Sequence, residues 1–234
     1  MALSFQDPKL TEMARDAPTL TREGRNSILQ TIANMKWRLS SFDIKTAFLR
    51  GKANNSNPLA MEPPVELRKK LGLTDQQVCS LIGNAYGRVD APLLFYKELV
   101  AQLKKLNFQV HPLEPCIFIL ESQSPEGRIL HGILGTHVDD GICGGDQYFH
   151  EQINKLKEVL PFGAFKLQRF VFTGIASEQL PDFSMSANQE DYVHAFPAID
   201  IGRQRRQRPY DPIQEGELTK LRGLVGSLLR SNSH

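Results

Sequence analysis

Residues 116–145 read CIFILESQSPEGRILHGILGTHVDDGICGG, and this stretch decides the fold class. CIFIL (Cys116 to Leu120) and RILHGIL (Arg128 to Leu134) are two β-rich runs around the turn-rich ESQSPEG, which predicts a β-hairpin. The second run continues through ILGTHV to Asp139-Asp140-Gly141 and returns as ICGG. That predicts a second hairpin with its turn at those three residues. Two hairpins in direct succession make antiparallel sheet, and no clean strand–helix–strand alternation surrounds them. The expected class is therefore α+β, with an antiparallel sheet backed by helices on one face.

Upstream, apolar residues Ile28, Leu29, Ile32 and Met35 predict a helix from Asn26 to Lys36. WRLSSFDI then alternates, with Trp37, Leu39, Ser41 and Asp43 on one side and Arg38, Ser40, Phe42 and Ile44 on the other. This predicts a strand that delivers Asp43 at its end. Lys52 to Pro64 is rich in Asn and Pro and reads as loop. A second helix is expected from Ala91 to Leu106, with Asp90 able to cap it and Pro92 in its first turn.

Downstream, Asp146 is placed to cap a third helix whose face is Phe149, Ile153, Leu156 and Leu160. A strand pair follows at Phe170 to Ile175 and Phe183 to Ser186. Ser186 and Gln189 form a capping-box pattern for a short helix to Phe196. GRQRRQR, with Arg203, Arg205, Arg206 and Arg208, could touch nucleic-acid phosphates or be a solvated linker, and an apolar helix is expected from Leu218 to Leu229.

Composition narrows the function classes. Hydrophobic residues make up 41% and charged residues 23%, which excludes a disordered or collagen-like chain. No apolar run approaches the ~18 residues that span a bilayer. MALSFQDPKL lacks a basic segment followed by an apolar one, so no export signal is expected. Cys79, Cys116 and Cys143 form no CxxC, which argues against a disulfide framework or a zinc knuckle and for a reduced, intracellular, cytoplasmic chain. The net charge of +2 neither demands nor excludes nucleic acid, because a binding groove needs only local charge.

Chemistry concentrates at Asp43, Asp139 and Asp140. If their strands are neighbours, the carboxylates converge despite their separation in sequence. Clustered carboxylates without His or Cys suit hard cations such as Mg²⁺, and two such ions can activate an attacking hydroxyl and stabilise a leaving phosphate oxygen. A structural explanation stands beside this one. Asp-Gly is a favoured turn dipeptide, and Asp43 could cap a helix. An unrelated Mg²⁺-dependent phosphotransfer enzyme would share the same carboxylates.

A run of ordered blocks adds to that reading. SSFDIKTAFLRG (Ser40 to Gly51) resembles the Asp-x-Lys-Thr-Ala-Phe-Leu-x-Gly block of Ty1/copia-type reverse transcriptases. MEPP (Met61 to Pro64), VCSLIGNAYGRVDAPLLFYKEL (Val78 to Leu99) and EPCIFI (Glu114 to Ile119) are similar to the next blocks in order. GTHVDDGICGG (Gly135 to Gly145) resembles the Tyr-Val-Asp-Asp polymerase hairpin. FVFTGI (Phe170 to Ile175), MSANQEDYV (Met185 to Val193) and LRGLVGSLL (Leu221 to Leu229) complete the series. Single blocks are weak signals, whereas eight in order are strong.

The resemblance implies a right-hand polymerase palm over residues 17–196, with the fingers truncated. Residues 1–16 stay unassigned, and 197–234 become a linker and the start of a thumb or connection, a partial thumb. It implies two Mg²⁺ ions, with Mn²⁺ possible, held by Asp43, Asp139 and Asp140. Ile44 would contribute backbone at the second ion. Phe48 would be the steric gate against a ribose 2′-hydroxyl, although plain core packing also explains it. Partners would be an RNA or DNA template, a primer strand and deoxynucleoside triphosphates. The setting would be a retrotransposon's cytoplasmic virus-like particle.

Three residues depart from the family pattern. His137 replaces the hairpin Tyr beside the primer. Asp90 replaces a Gln of the nucleotide pocket, putting an anion near a triphosphate. Phe95 replaces Trp. The basic fingers block finds no match among the 42 residues before Asp43, and no ribonuclease H or integrase region follows Leu229, so a polyprotein fragment is expected. The competing expectation is a catalytically dead remnant that acts at most as a nucleic-acid-binding module.

Overall fold

Thr21 starts the first helix, because its side-chain oxygen accepts the Gly24 N–H at 3.0 Å. The computed structural model describes residues 16–51, 59–74, 76–81, 84, 88–195, 202–208 and 210–232. Helix α1 (Arg22–Asn34) therefore begins a turn before the expected Asn26, and it buries Ile28, Leu29 and Ile32. Strand β1 (Ser40–Ile44) and the short α2 (Ala47–Arg50) follow. Inside the expected Lys52–Pro64 loop, β2 (Leu59–Met61) pairs with β3 (Cys79–Leu81), and α3 (Val65–Leu71) lies between them.

Helix α4 (Ala91–Lys105) buries Phe95, Leu99 and Leu103, with Pro92 in its first turn. Strands β4 (Phe108–Val110), β5 (Ile117–Ser124), β6 (Gly127–His137) and β7 (Asp140–Gly145) come next. Helix α5 (Gln147–Val159) is capped by Asp146, which accepts the Phe149 N–H at 3.0 Å as its spacing predicts. His131 Nδ1 donates to the same carboxylate at 2.7 Å and its Nε2 meets Ser122 Oγ at 2.8 Å, tying β5 and β6 to the helix start.

Strand β8 (Phe162–Leu167) completes a six-stranded sheet in the order β4-β5-β6-β7-β1-β8. All its pairings are antiparallel. The expected pair of later strands is three strands: β9 (Arg169–Phe172), β10 (Ile175–Gln179) and β11 (Met185–Asn188), with β10 central. Ser186 lies inside β11 and Gln189 makes no side-chain cap, so the capping box before α6 (Glu190–His194) does not form. The expected end of that helix, Phe196, lies outside the described residues. Helix α7 (Arg203–Arg206) runs through the Arg cluster, and α8 (Glu215–Asn232) follows. Arg205 pairs with Glu217 at 2.9 Å and donates to the Arg208 and Asp211 carbonyls, so this arginine joins α7 to α8.

Helices cover the sheet on both faces, not on one. Phe42, Leu134 and Cys143 pack with Phe95, Leu99, Phe149 and Ile153 of α4 and α5. Leu39, Ile133 and Ile142 pack with Ile28, Leu29 and Ile32 of α1. Strand alternation explains this, because neighbouring residues of β6 and β7 are both apolar and each needs its own cover. The Gly144-Gly145 pair lets both helices approach. A Cβ on Gly144 would meet Ile32 Cγ1 at 2.8 Å, and one on Gly145 would meet Phe149 Cγ at 2.3 Å.

Candidate active site

Strand β1 delivers Asp43 directly opposite Asp140 of β7, in register. The Ile44 N–H donates to the Asp139 carbonyl at 2.9 Å, so the β1 end is bonded to the tip of the β6–β7 hairpin. Asp43 shares its face of β1 with Ser41 and Leu39, which turns it toward the α1 side of the sheet. The backbones of Asp43, Asp139 and Asp140 thus meet at one corner of the sheet.

The hairpin turn itself differs from the expected one. Its two loop residues are Val138 and Asp139, whereas Asp140 and Gly141 are the first residues of β7. Val138 carries the positive φ of 59°, an unusual state for a β-branched residue. Gly141 is required by packing instead. A Cβ there would lie 2.3 Å from Phe42 Cζ.

The proximity of the acids acts on Asp140. The Asp140 carboxyl is pushed up by loss of water around it, then by Asp139 and Asp43, and His137 and Lys166 oppose the shift. Asp43 is held from the other side by β8, where the Ala164 N–H donates to its Oδ1. Gly163 leaves room for the same carboxylate, since a Cβ on it would fall 2.1 Å from Asp43 Oδ2. Asp43, Asp140, Ser41, Ala164 and Lys166 line a shallow recess with Phe172.

The oxygen-only donor set fits a hard divalent cation in kind, and two of its members face each other across one ladder. Among the described residues, no three His, Cys, Asp or Glu side chains are grouped closely enough to hold a metal ion.

His137 ends β6 and pairs across the ladder with Asp140, so it belongs to the same corner. Phe48 is half-buried on α2 and packs against the core that contains Phe42 and Phe95. Asp90 does not cap α4 through its side chain. Its carboxylate is engaged by Arg88, with Nε at 2.8 Å and Nη2 at 2.7 Å, and both side chains are only 5% exposed.

Sequence reasoning missed Arg88, Gly163, Ala164 and Lys166. The first lies two positions before Asp90 and could have been found by asking what neutralises a buried acid. The other three sit on β8, whose FGAFKL carries no strict alternation of apolar and polar residues.

A family model described as reverse transcriptase (RNA-dependent DNA polymerase) matches residues 17–194. A comparison with curated proteins finds no match. The matched residues contain α1, α4, α5, the whole six-stranded sheet and the acidic corner, and the chain belongs to the reverse transcriptase (RNA-dependent DNA polymerase) family, RNA-directed DNA polymerases that act as nucleotidyltransferases.

Proposed function

We propose that this chain is the RNA-directed DNA polymerase domain of a Ty1/copia-type retrotransposon, with residues 17–196 as its palm and 197–234 as a linker and the start of a thumb. The observation that carries the proposal is the in-register pair Asp43 and Asp140, closed by the Ile44–Asp139 bond. Asp43 and Asp139 would hold two Mg²⁺ or Mn²⁺ ions, with Asp140 as the third carboxylate and the Ile44 backbone beside the second ion. When bound, the ions supply charge neutralisation at the α-phosphate and a lowered pKa for the attacking 3′-hydroxyl.

The chain's own residues do the positioning. The template, RNA or DNA, and the primer lie across the α1-side corner of the sheet. His137 stands beside the primer end. Phe48 excludes the ribose 2′-hydroxyl and so selects deoxynucleoside triphosphates. Asp90 belongs to the nucleotide pocket, and Arg88 removes the repulsion that a bare carboxylate there would exert on a triphosphate. Among the described residues no helix is long and apolar enough to cross a membrane. The proposed setting is an intracellular, cytoplasmic virus-like particle.

One observation favours a second reading, a catalytically dead remnant that binds nucleic acid. The acids are adjacent in register, yet the described side chains are not grouped as a metal site. Primer extension in Mg²⁺ or Mn²⁺ separates the two. The polymerase reading expects extension by the wild type and none by Asp139→Asn. It also expects metal-free thermal stability of the variant to be unchanged or higher, because one of several crowded carboxylates is neutralised. Full activity in Asp139→Asn would refute the assignment.

A further inference from the structure

Beside the acidic corner lies a second recess, lined by Thr21, Arg22, Arg25, His137, Phe172 and Thr173 among others. Phe172 also lines the carboxylate recess, and His137 is the cross-strand partner of Asp140. The two recesses are therefore neighbours on the α1 face, one acidic and one basic.

Two features of the basic recess lack an internal explanation. Arg25 is only 6% exposed, yet among the described residues its guanidinium donates only to the neutral Asn26 side chain, with Nε and Nη2 each at 3.3 Å. Among the described residues no carboxylate forms an ion pair with it. Among the described residues, His137 Nδ1 is buried and has no hydrogen-bond partner. A buried cation normally has an anion against it, and a buried ring nitrogen normally has a partner. Burial and the nearby Arg22 both hold the Arg25 pKa below its ordinary value, opposed by Glu23, as expected for a cation short of negative charge.

We infer that Arg25 and His137 form a subsite for a backbone phosphate of the bound nucleic acid, positioned next to Asp140. One phosphate oxygen would accept from the free edge of the Arg25 guanidinium and one from His137 Nδ1–H. Charge-assisted, forked donation of this kind is what guanidinium groups offer phosphates. Arg25 and His137 thus act as positioning residues, setting where the strand crosses the sheet relative to the acids. This inference rests on the polymerase reading for the identity of the strand, not for the anion.

The test uses the whole chain and primer–template duplexes in which one linkage at a time, in either strand, is a neutral methylphosphonate. Binding is followed by fluorescence anisotropy without metal or nucleotide. One linkage should weaken wild-type binding about tenfold, and Arg25→Gln should weaken binding of the unmodified duplex similarly while losing sensitivity to that linkage. The salt slope of log K should fall by about one in the variant. His137→Ala gives a second reading if Arg25→Gln fails to fold, and the methylphosphonate series needs no variant at all.

Uniform wild-type affinity across all linkages would overturn the subsite. So would displacement of the Arg25-dependent contact by inorganic phosphate or pyrophosphate with no linkage effect, which would assign the recess to a free anion. Linkage sensitivity in a chain that extends no primer would fail the polymerase reading alone. Extension by a chain without linkage sensitivity would fail this inference alone.

Discussion

Gly163 and Asp43 approach so closely that no side chain fits between them: a Cβ on Gly163 would fall 2.1 Å from Asp43 Oδ2 and 2.8 Å from its Cγ. Gly163 has no left-handed backbone, so alanine is tolerated by its conformation and opposed only by the carboxylate. Gly163→Ala should swing Asp43 off the β8 backbone. Primer extension should fall by at least tenfold, because small misplacements at a reacting centre are costly. Circular dichroism should stay native. Unaltered extension would show that the orientation of Asp43 is not set by β8.

The β6–β7 hairpin makes opposite predictions for two nearby positions. Val138 adopts φ 59°, which costs an L-residue roughly 1–2 kcal/mol. Val138→Gly should raise the melting temperature by about 2–4 °C for each kcal/mol relieved. Gly141→Ala drives a methyl group into the Phe42 ring and should destabilise by about 1–3 kcal/mol. Thermal melts of the two variants check both, and a stabilised Gly141→Ala would refute the packing argument.

Arg88 and Asp90 form a bidentate pair with each side chain only 5% exposed. Removing one partner leaves a buried charge, so Arg88→Met or Asp90→Leu should each cost about 3–5 kcal/mol in urea unfolding. The double variant should lie closer to wild type than either single one. Additive losses would mean the two charges do not depend on each other.

Phe48 packs, partly buried, against the core beside α4, so core packing and sugar selection make separable predictions. Phe48→Ala should lower stability in either case. Only a gate role should also raise ribonucleotide over deoxyribonucleotide incorporation, by on the order of tenfold or more for one lost contact. An unchanged ratio would leave Phe48 as core alone.

Burial pushes the thiols of Cys116 and Cys143 up to about 12, and at Cys116 the nearby Glu114 adds to the shift. The thiolate is the reactive form, so both should be inert at pH 8 in the native protein. Cys79 is half-buried, and Ellman's reagent should therefore label one thiol of three quickly and the rest only after unfolding. Rapid labelling of three would mean that the sheet core opens.

Local pattern made much of this molecule legible from sequence. The alternation of WRLSSFDI set the two faces of β1, because successive side chains of a strand point oppositely. The spacing of Phe149, Ile153 and Leu156 after Asp146 located α5 and its cap, because capping and amphipathicity act within a turn or two. The carboxylates of the Asp43 and Asp139-Asp140 blocks were visible as chemistry, and seven of the eight blocks behind the reverse transcriptase resemblance lie within the matched residues 17–194, whereas Leu221 to Leu229 lies beyond them.

Only the tertiary structure decided what depends on distant neighbours. Gly141 belongs to packing and not to a turn because Phe42, from another strand, lies over it. Asp90 is neutralised rather than left to cap α4 because Arg88 folds back onto it in a buried site. Strand β8 carries no readable alternation, yet it holds Asp43 through Ala164 and leaves it space at Gly163. The covering of the sheet on both faces followed from which helix reached each face. Sequence period records what a residue's own strand or helix requires. Contact across elements is set by the packed whole, and that is where the geometry of the acidic corner was determined.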